Sequence, residues 1–367
     1  NAGALRYSLA LEILRDRAQN VPAAKAVARE VAFQFPANDG YTGGAINWLL
    51  DAATDDAEFN ADVARVVEAR RKFPWISTYR ATLAAWALAR VQNKDLGKRA
   101  AAANVALAAS DKEPVNADWM AYETATGQNV WGAPTALARG RLLEPGRLAG
   151  YPDELANDLL YQQQYFYRHY SPDAERTKSI DFAKAWATRM PKSFDAAAAY
   201  LTHATDFAKA DAFRDAAAVL IKLDAPSSQA DLTRRFMQVA VHFKDAALGT
   251  QAWAWSKKMF DKHGYDSTYA SSIGDSLTAI GLKNEAKECW DRGITGNPDA
   301  TEYSTCASRL LTLLPDPQKP TFLDTMIVKD TAWQFSFAVQ RSEFFIRQND
   351  VDSASKLMLP AAEKLRD

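Results

Sequence analysis

The chain contains 367 residues, of which 48% are hydrophobic and 24% charged, so it can bury a core without disulfides or a structural metal. Its 44 basic and 45 acidic residues give a formal net charge of −1, which removes the overall electrostatic basis for binding nucleic acid. Two cysteines are too few for a disulfide framework or a four-ligand zinc site. No apolar run reaches the ~18–20 residues that span a bilayer. We therefore expect no nucleic acid binding, no direct membrane insertion, no cofactor and no metal.

The ends of the sequence carry no targeting information. It begins at Asn1 without methionine and without a basic segment followed by an apolar one. We interpret it as a processed or truncated product. Two free thiols fit a reducing or an oxidising compartment, so the sequence assigns no location.

Alanine content and the spacing of apolar residues predict an all-α fold. The runs 100–103 and 196–199 consist of alanine, the residue with the strongest helix preference. Apolar side chains recur three and four positions apart, as at Val63, Val66 and Val67. The alternating pattern that is typical of strands is nearly absent.

Residues that end helices recur at a nearly constant interval. The intervals are 34 to 40 residues, which accommodate two helices of about 12–15 residues and two turns. Proline suits such a junction because it ends one helix and is tolerated at the start of the next. The pattern predicts stacked helical hairpins. The residues are Pro36, Pro74, Pro114, Pro152, Pro191, Pro226, Gly264 and Pro298.

The first half of the chain carries the hairpin pattern in eroded form, and residues 126–151 interrupt it. This segment is so rich in glycine and proline that it predicts an irregular insertion. Within it, Trp131 and the arginines Arg139, Arg141 and Arg147 are candidates for an anchor that binds an acidic partner surface. The alternative is a turn that packs Trp131 over the core and leaves the arginines in solvent.

Aromatic residues crowd a predicted helix within residues 161–170. We expect most of these rings to pack in the core, although exposed rings could stack on a ligand. His203 falls at a packing position of its hairpin, which favours a structural histidine over a metal ligand. Cys289 and Cys306 are predicted to be buried free thiols.

From Phe194 onward, hairpins follow one another in phase. In the hairpin Ser267–Ala300, the small residues Gly274 and Ala286 permit close approach of two helices. The hairpin Thr301–Gln334 departs most, because three prolines lengthen its turn and shorten its second helix to about residues 321–328. Comparable anchors are Tyr200, Ala204, Phe207, Ala216 and Leu220, then Phe236, Val239, Ala240, Ala252 and Met259, then Ser342, Phe345, Ala354, Met358 and Ala361.

This spacing of small and large anchors resembles the tetratricopeptide repeat, a helix–turn–helix of 34 residues. The resemblance implies a right-handed superhelical solenoid of about nine hairpins, degenerate over residues 1–193 and regular over residues 194–367. It implies a concave groove lined by the first helix of each hairpin, and binding of a protein or peptide rather than catalysis. The lysine–asparagine clamp with which some members hold a carboxylate is absent, since Met237 and Val241 stand at those positions.

Polar residues at in-phase positions of the first helices are candidates for contact with the partner. Such a surface suits an extended polar segment, and the alternative for each residue is a solvated helix face. The candidates are Arg234, Lys244, Ser271, Asp275, Thr278, Thr305, Arg309, Glu343 and Arg347.

Other functions remain open at this point. A closed (α/α) toroid would be a carbohydrate-active enzyme, with some of the 10 Trp and 13 Tyr stacking on sugars, but it requires two carboxylates about 5–10 Å apart. Another alternative is a docking segment of a larger secreted or envelope protein. The eroded first 190 residues could supply a second interaction surface or a self-association face, and hence a homo-oligomer.

Overall fold

The computed structural model describes residues 5–7, 9–35, 40–207, 209–227, 229–264, 267–296, 300–329 and 332–363. Within these ranges the chain forms 21 helices and no β-strand, which confirms the all-α prediction. Contacts divide the chain into two compact units, Asn1–Tyr151 and Pro152–Asp367. The boundary predicted at residue 194 concerns the regularity of the hairpins and stays a prediction.

The helices of the first unit are α1 (Leu9–Arg17), α2 (Val21–Arg29), α3 (Gly40–Asp51), α4 (Asp56–Lys72), α5 (Thr78–Arg90), α6 (Gly97–Asp111), α7 (Pro114–Gln128), α8 (Ala133–Leu142) and α9 (Pro145–Leu148). α1 winds as a π-helix, and Glu30–Gln34 continues α2 in the same form. α3 packs against α5, and α4 packs against α6. The rings of Phe59, Tyr79 and Trp86 are buried at the centre of this unit.

The helices of the second unit are α10 (Asp153–His169), α11 (Lys178–Arg189), α12 (Phe194–Asp206), α13 (Ala210–Leu220), α14 (Ala230–His242), α15 (Ala246–His263), α16 (Ala270–Ala279), α17 (Lys283–Gly293), α18 (Thr301–Leu313), α19 (Lys319–Val328), α20 (Gln334–Arg347) and α21 (Val351–Glu363). Antiparallel neighbours pair as α12 with α13, α14 with α15 and α16 with α17. In addition, α12 contacts α14, α14 contacts α16, and α16 contacts α18. We call α12, α14, α16 and α18 the first helices, and α11, α13, α15 and α17 the second helices.

Proline and glycine mark helix ends as predicted. Pro114 is the first residue of α7, and Pro152 immediately precedes α10. Gly264 follows α15 with a φ of 89°, a backbone conformation that side chains other than glycine rarely adopt. Pro74, Pro191 and Pro226 lie between helices. Pro36 and Pro298 lie outside the described residues.

The predicted irregular insertion at residues 126–151 is mostly helical. α7 extends to Gln128, and α8 and α9 occupy much of the remainder. Pro134 and Pro145 stand in the first turns of α8 and α9, where proline costs no hydrogen bond because those N–H groups have no partner inside the helix. The prediction of an irregular segment was therefore wrong for these residues.

Small residues bring the helices of the second unit close together. Gly274 on α16 lies against the indole of Trp290 on α17, leaving no room for a Cβ atom. Gly293 lies against Cys306 in the same way. Cys289 and Cys306 are both buried thiols outside any disulfide, as predicted. The packing role predicted for Gly274 is confirmed.

Candidate partner-binding face

Exposed and half-exposed polar side chains of α14, α16 and α18 form a surface that we call the polar face. It extends across three consecutive first helices, which contact one another side by side. Hydrogen bonds and an ion pair connect α16 with α18, and the guanidinium of Arg234 on α14 lies over the ring of Tyr269, which immediately precedes α16. Its residues are Arg234, Gln238, Ser271, Asp275, Thr278, Glu302, Thr305 and Arg309.

An ion pair between α16 and α18 lies on the polar face. Arg309 Nε and Nη2 donate to the two carboxylate oxygens of Asp275 at 2.8 and 2.9 Å. The side chains of Arg309 and Asp275 remain 47% and 43% exposed. An ion pair at this exposure contributes about 0–1 kcal/mol to stability. A carboxylate from a partner could therefore replace Asp275 as the acceptor at small cost.

A second contact joins the same two helices near their N-termini. Glu302 Oε1 accepts hydrogen bonds from the backbone N–H of Ser271 at 2.6 Å and from its hydroxyl at 2.7 Å. Ser271 is the second residue of α16, so this N–H has no acceptor within its own helix. Glu302 thus caps the preceding first helix.

Arg234 on α14 is held by several groups at once. Its guanidinium donates to Asp231 Oδ1 at 2.6 Å and to Gln238 Oε1 at 3.1 Å. The guanidinium carbon also lies 5.0 Å from the centre of the Tyr269 ring, within the range of a cation–π interaction. These contacts orient Arg234 on the polar face.

The remaining groove candidates occupy different positions. The hydroxyls of Thr278 and Thr305 donate to the carbonyl oxygens of Gly274 and Thr301 on their own helices. Lys244 was placed on a first helix by sequence spacing, and this was wrong. Because α14 ends at His242, Lys244 lies in the following turn with a φ of 51°.

Glu343 and Arg347 lie on α20. They form an i,i+4 ion pair at 3.8 Å, in which both side chains are mostly exposed. The Arg347 guanidinium also lies 5.5 Å from the centre of the Phe344 ring. The structure therefore groups these two candidates with each other on one helix.

The arginines predicted to anchor an acidic partner have acceptors within the first unit. Arg139 is 0% exposed and donates to the carbonyl oxygen of Val130 at 2.9 Å, so it is not accessible to a partner. Arg141 and Arg147 both contact Asp118, at 3.4 and 2.7 Å. Trp131 is half-buried. The local glycine and proline content did not reveal that these cations have acceptors within the unit.

The aromatic helix predicted around residues 161–170 is α10, and its rings are divided between core and surface. Phe166 is buried, whereas Tyr161 and Tyr170 are exposed. Tyr161 packs edge-on against Trp186 at 5.6 Å between ring centres. The expectation of core packing is thus confirmed for Phe166 and wrong for the two exposed tyrosines.

His203 on α12 is buried, as expected for a structural histidine. Burial, together with nearby Arg168, lowers its pKa to about 3. The imidazole is therefore neutral at physiological pH. Its Nδ1 has no hydrogen-bond partner among the described residues.

Side-chain contacts recur between residues about one hairpin apart in both units. In nine ion pairs the two residues are separated by 31 to 34 positions, whereas Arg71–Glu113 and Arg168–Asp206 span 42 and 38 positions. In the second unit, such pairs connect successive second helices as well as successive first helices. The pairs are Lys25–Glu58, Arg29–Asp62, Arg80–Asp111, Lys184–Asp215, Arg214–Asp245, Lys258–Asp224, Lys257–Glu288, Arg292–Asp261 and Arg309–Asp275.

Two cavities lie on the second helices, which the sequence pattern did not single out. An open groove of about 780 Å³ runs between α15 and α17, where three lysines face two glutamates above Trp253. A smaller cavity of about 370 Å³ is formed by α11, α12 and α13. The spacing of Lys258 and Lys262, one helical turn apart, is the signal that could have indicated the larger groove.

No protein-family model matches the sequence, and no curated protein matches it either. None of the described helices combines the length and the apolar character needed to cross a membrane.

Proposed function

We propose that the chain is a non-catalytic scaffold of tetratricopeptide-like hairpins that binds a protein or peptide and helps to assemble a complex. The observation that supports this most is the recurrence of side-chain pairs 31 to 34 residues apart that join α11 to α13, α15 to α17 and α16 to α18. Pairs at this separation that join alternate helices are expected when hairpins stack in chain order. About nine such hairpins, wound as a right-handed superhelix, account for the length of the chain.

The partner binds on the polar face. Arg234, Asp275 and Arg309 present donors and acceptors at a surface that spans three helices, a length suited to an extended segment. The contact between Arg309 and Asp275 is exposed and weak, so a partner's carboxylates and amides can compete for it. We therefore expect a polar, partly acidic segment as the ligand.

Combined substitution by alanine of Arg234 and Arg309 on the polar face, and of Arg347 on α20, tests the groove candidates together. Capture of the native partner, identified by co-purification and mass spectrometry, should weaken by at least an order of magnitude, because interface arginines often dominate binding. The circular dichroism spectrum should not change.

A matched control removes three exposed cations from the second helices. Arg214→Ala, Lys258→Ala and Lys287→Ala take away the same charge from side chains of comparable exposure. The control should retain full capture. Equal loss in both triple variants would show that the effect is general electrostatics, and unchanged capture in the first would refute the polar face as the site.

Small-angle X-ray scattering tests the arrangement independently of any partner. An open superhelix gives an elongated distance distribution, whereas a closed toroid gives a compact and nearly symmetric one. The closed form would overturn the scaffold proposal, and it would then direct attention to paired carboxylates in a central cavity.

A further inference from the structure

The 370 Å³ cavity of the second unit lies away from the polar face, between the second helices α11 and α13 and the side of α12. Its volume falls in the range of small-ligand sites, which are mostly apolar with a few polar groups that orient the ligand. Here the apolar lining comes from Ala187, Pro191, Val219 and Leu223. The polar lining comes from Lys184, Thr188, Tyr200, Asp215 and Lys222.

One wall of this cavity carries a polar triad of Tyr200, Asp215 and Lys184. Tyr200 is 2% exposed, and its hydroxyl donates to Asp215 Oδ2 at 2.9 Å. Lys184 Nζ lies 2.7 Å from the same oxygen. Burial raises the pKa of Tyr200, so the phenol stays protonated and keeps donating. The hydrogen bonds from Lys184 and Tyr200 lower the pKa of Asp215, so the carboxylate stays charged and balances Lys184.

Lys222 carries the surplus charge of the cavity. Lys184 and Asp215 cancel each other, and Lys222 has no ion-pair partner within the part of the chain that the structure describes. The neighbouring acid Asp224 pairs instead with Lys258 and Lys262, at 2.7 and 3.0 Å. The cavity thus combines one available cation with an apolar floor.

We propose that this cavity binds a carboxylate carried on an apolar body, with the carboxylate on Lys222 and the apolar part over Ala187, Val219 and Leu223. A single surplus positive charge matches one negative charge, whereas a phosphate dianion would leave one charge unpaired. Two sources share this chemistry: the C-terminus of a peptide that ends in an aliphatic residue, and a free aliphatic acid.

Methyl NMR of the full chain, labelled at alanine, valine and leucine, reads binding directly at the cavity. The probes are an N-acetylated tripeptide ending in leucine, the same peptide as a C-terminal amide, and hexanoate. The free-acid peptide should shift the Ala187, Val219 and Leu223 methyl signals at millimolar concentration. The amide should bind about five- to tenfold more weakly, because it lacks the charge. If hexanoate binds as tightly as the peptide, the ligand is a free acid.

Lys222→Ala should weaken binding of the acid by a similar five- to tenfold factor. Lys192→Ala is the matched control, since Lys192 is exposed between α11 and α12 but does not line the cavity. Equal effects of the two variants, equal binding of acid and amide, or no methyl shift with any probe would each overturn the proposal. Arg309→Ala should leave these shifts unchanged, which separates this site from the polar face.

Discussion

The contact between Gly274 and Trp290 determines how much stability the protein loses when a methyl group is added at position 274. A Cβ atom built on Gly274 would lie 2.6 and 2.7 Å from the indole atoms Cε2 and Cδ1, about 1 Å inside normal carbon–carbon contact. Overpacking of this size costs about 1–3 kcal/mol, while alanine regains roughly 1 kcal/mol of helix propensity. Gly274→Ala should therefore destabilise the protein by up to about 2 kcal/mol.

Urea unfolding followed by circular dichroism measures this difference. Gly127→Ala is the matched control, because Gly127 also lies in a helix but has open space around the added Cβ atom. That variant should be stabilised by about 0.5–1 kcal/mol. In a Trp290→Leu background the indole is gone, so Gly274→Ala should become neutral or stabilising, giving a coupling of about 2 kcal/mol in the double-mutant cycle. The same loss in both backgrounds would refute steric contact with Trp290 as the cause.

Three further predictions concern buried groups. Glu58→Gln should cost about 2 kcal/mol in urea unfolding at neutral pH, because Lys25, 7% exposed, loses its charged acceptor. The hydrogen bond from Lys25 lowers the pKa of Glu58 from 4.5 to about 2, so the stabilisation is complete above pH 4.5 and lost as the pH falls towards 2. A difference between wild type and variant that persists undiminished at pH 2 would contradict this. The pKa of His203 is about 3 in the folded protein and 6.5 in the unfolded chain. Only the unfolded chain therefore binds this proton as the pH falls below 6.5. Through this residue, the free energy of unfolding should fall by about 2 kcal/mol as the pH is lowered from 6.5 to about 5. His203→Leu should flatten that dependence and the exposed His263→Leu should not. Finally, the buried thiols of Cys289 and Cys306, the latter with a pKa raised by burial, should react with a disulfide reagent only as fast as the protein unfolds. Prompt reaction of either thiol in the native protein would show that it is accessible.

The helices and their ends were predictable because the signals that set them are local. Pro114 begins a helix, and Gly264 ends one, through conformational limits that each residue carries wherever it stands. The close approach at Gly274 was predictable for a related reason. A glycine three residues before an apolar helix position has few uses other than contact with a neighbour.

The environment of individual charges was not predictable, because it depends on residues distant in sequence. In the sequence alone, nothing distinguishes Arg139 from an arginine in solvent. Its burial beside the carbonyl of Val130 results from the packing of α7 against α8. Lys244 satisfies the helical spacing, but α14 ends two residues earlier. Lys244 adopts a left-handed backbone conformation, which the sequence would have indicated only if a glycine stood at that position. The pairing of Arg309 with Asp275 likewise required the two helices to be placed side by side.

Pairs such as Lys258–Asp224 and Arg309–Asp275 draw one member from each of two positions 34 residues apart. A change of length in this part of the chain therefore preserves such pairs only when it adds or removes about 34 residues. Duplicating or losing a stretch of that size keeps these two pairs in register at the new junction, whereas gaining or losing a dozen residues breaks that register. Evolution or design should lengthen such a protein by whole periods.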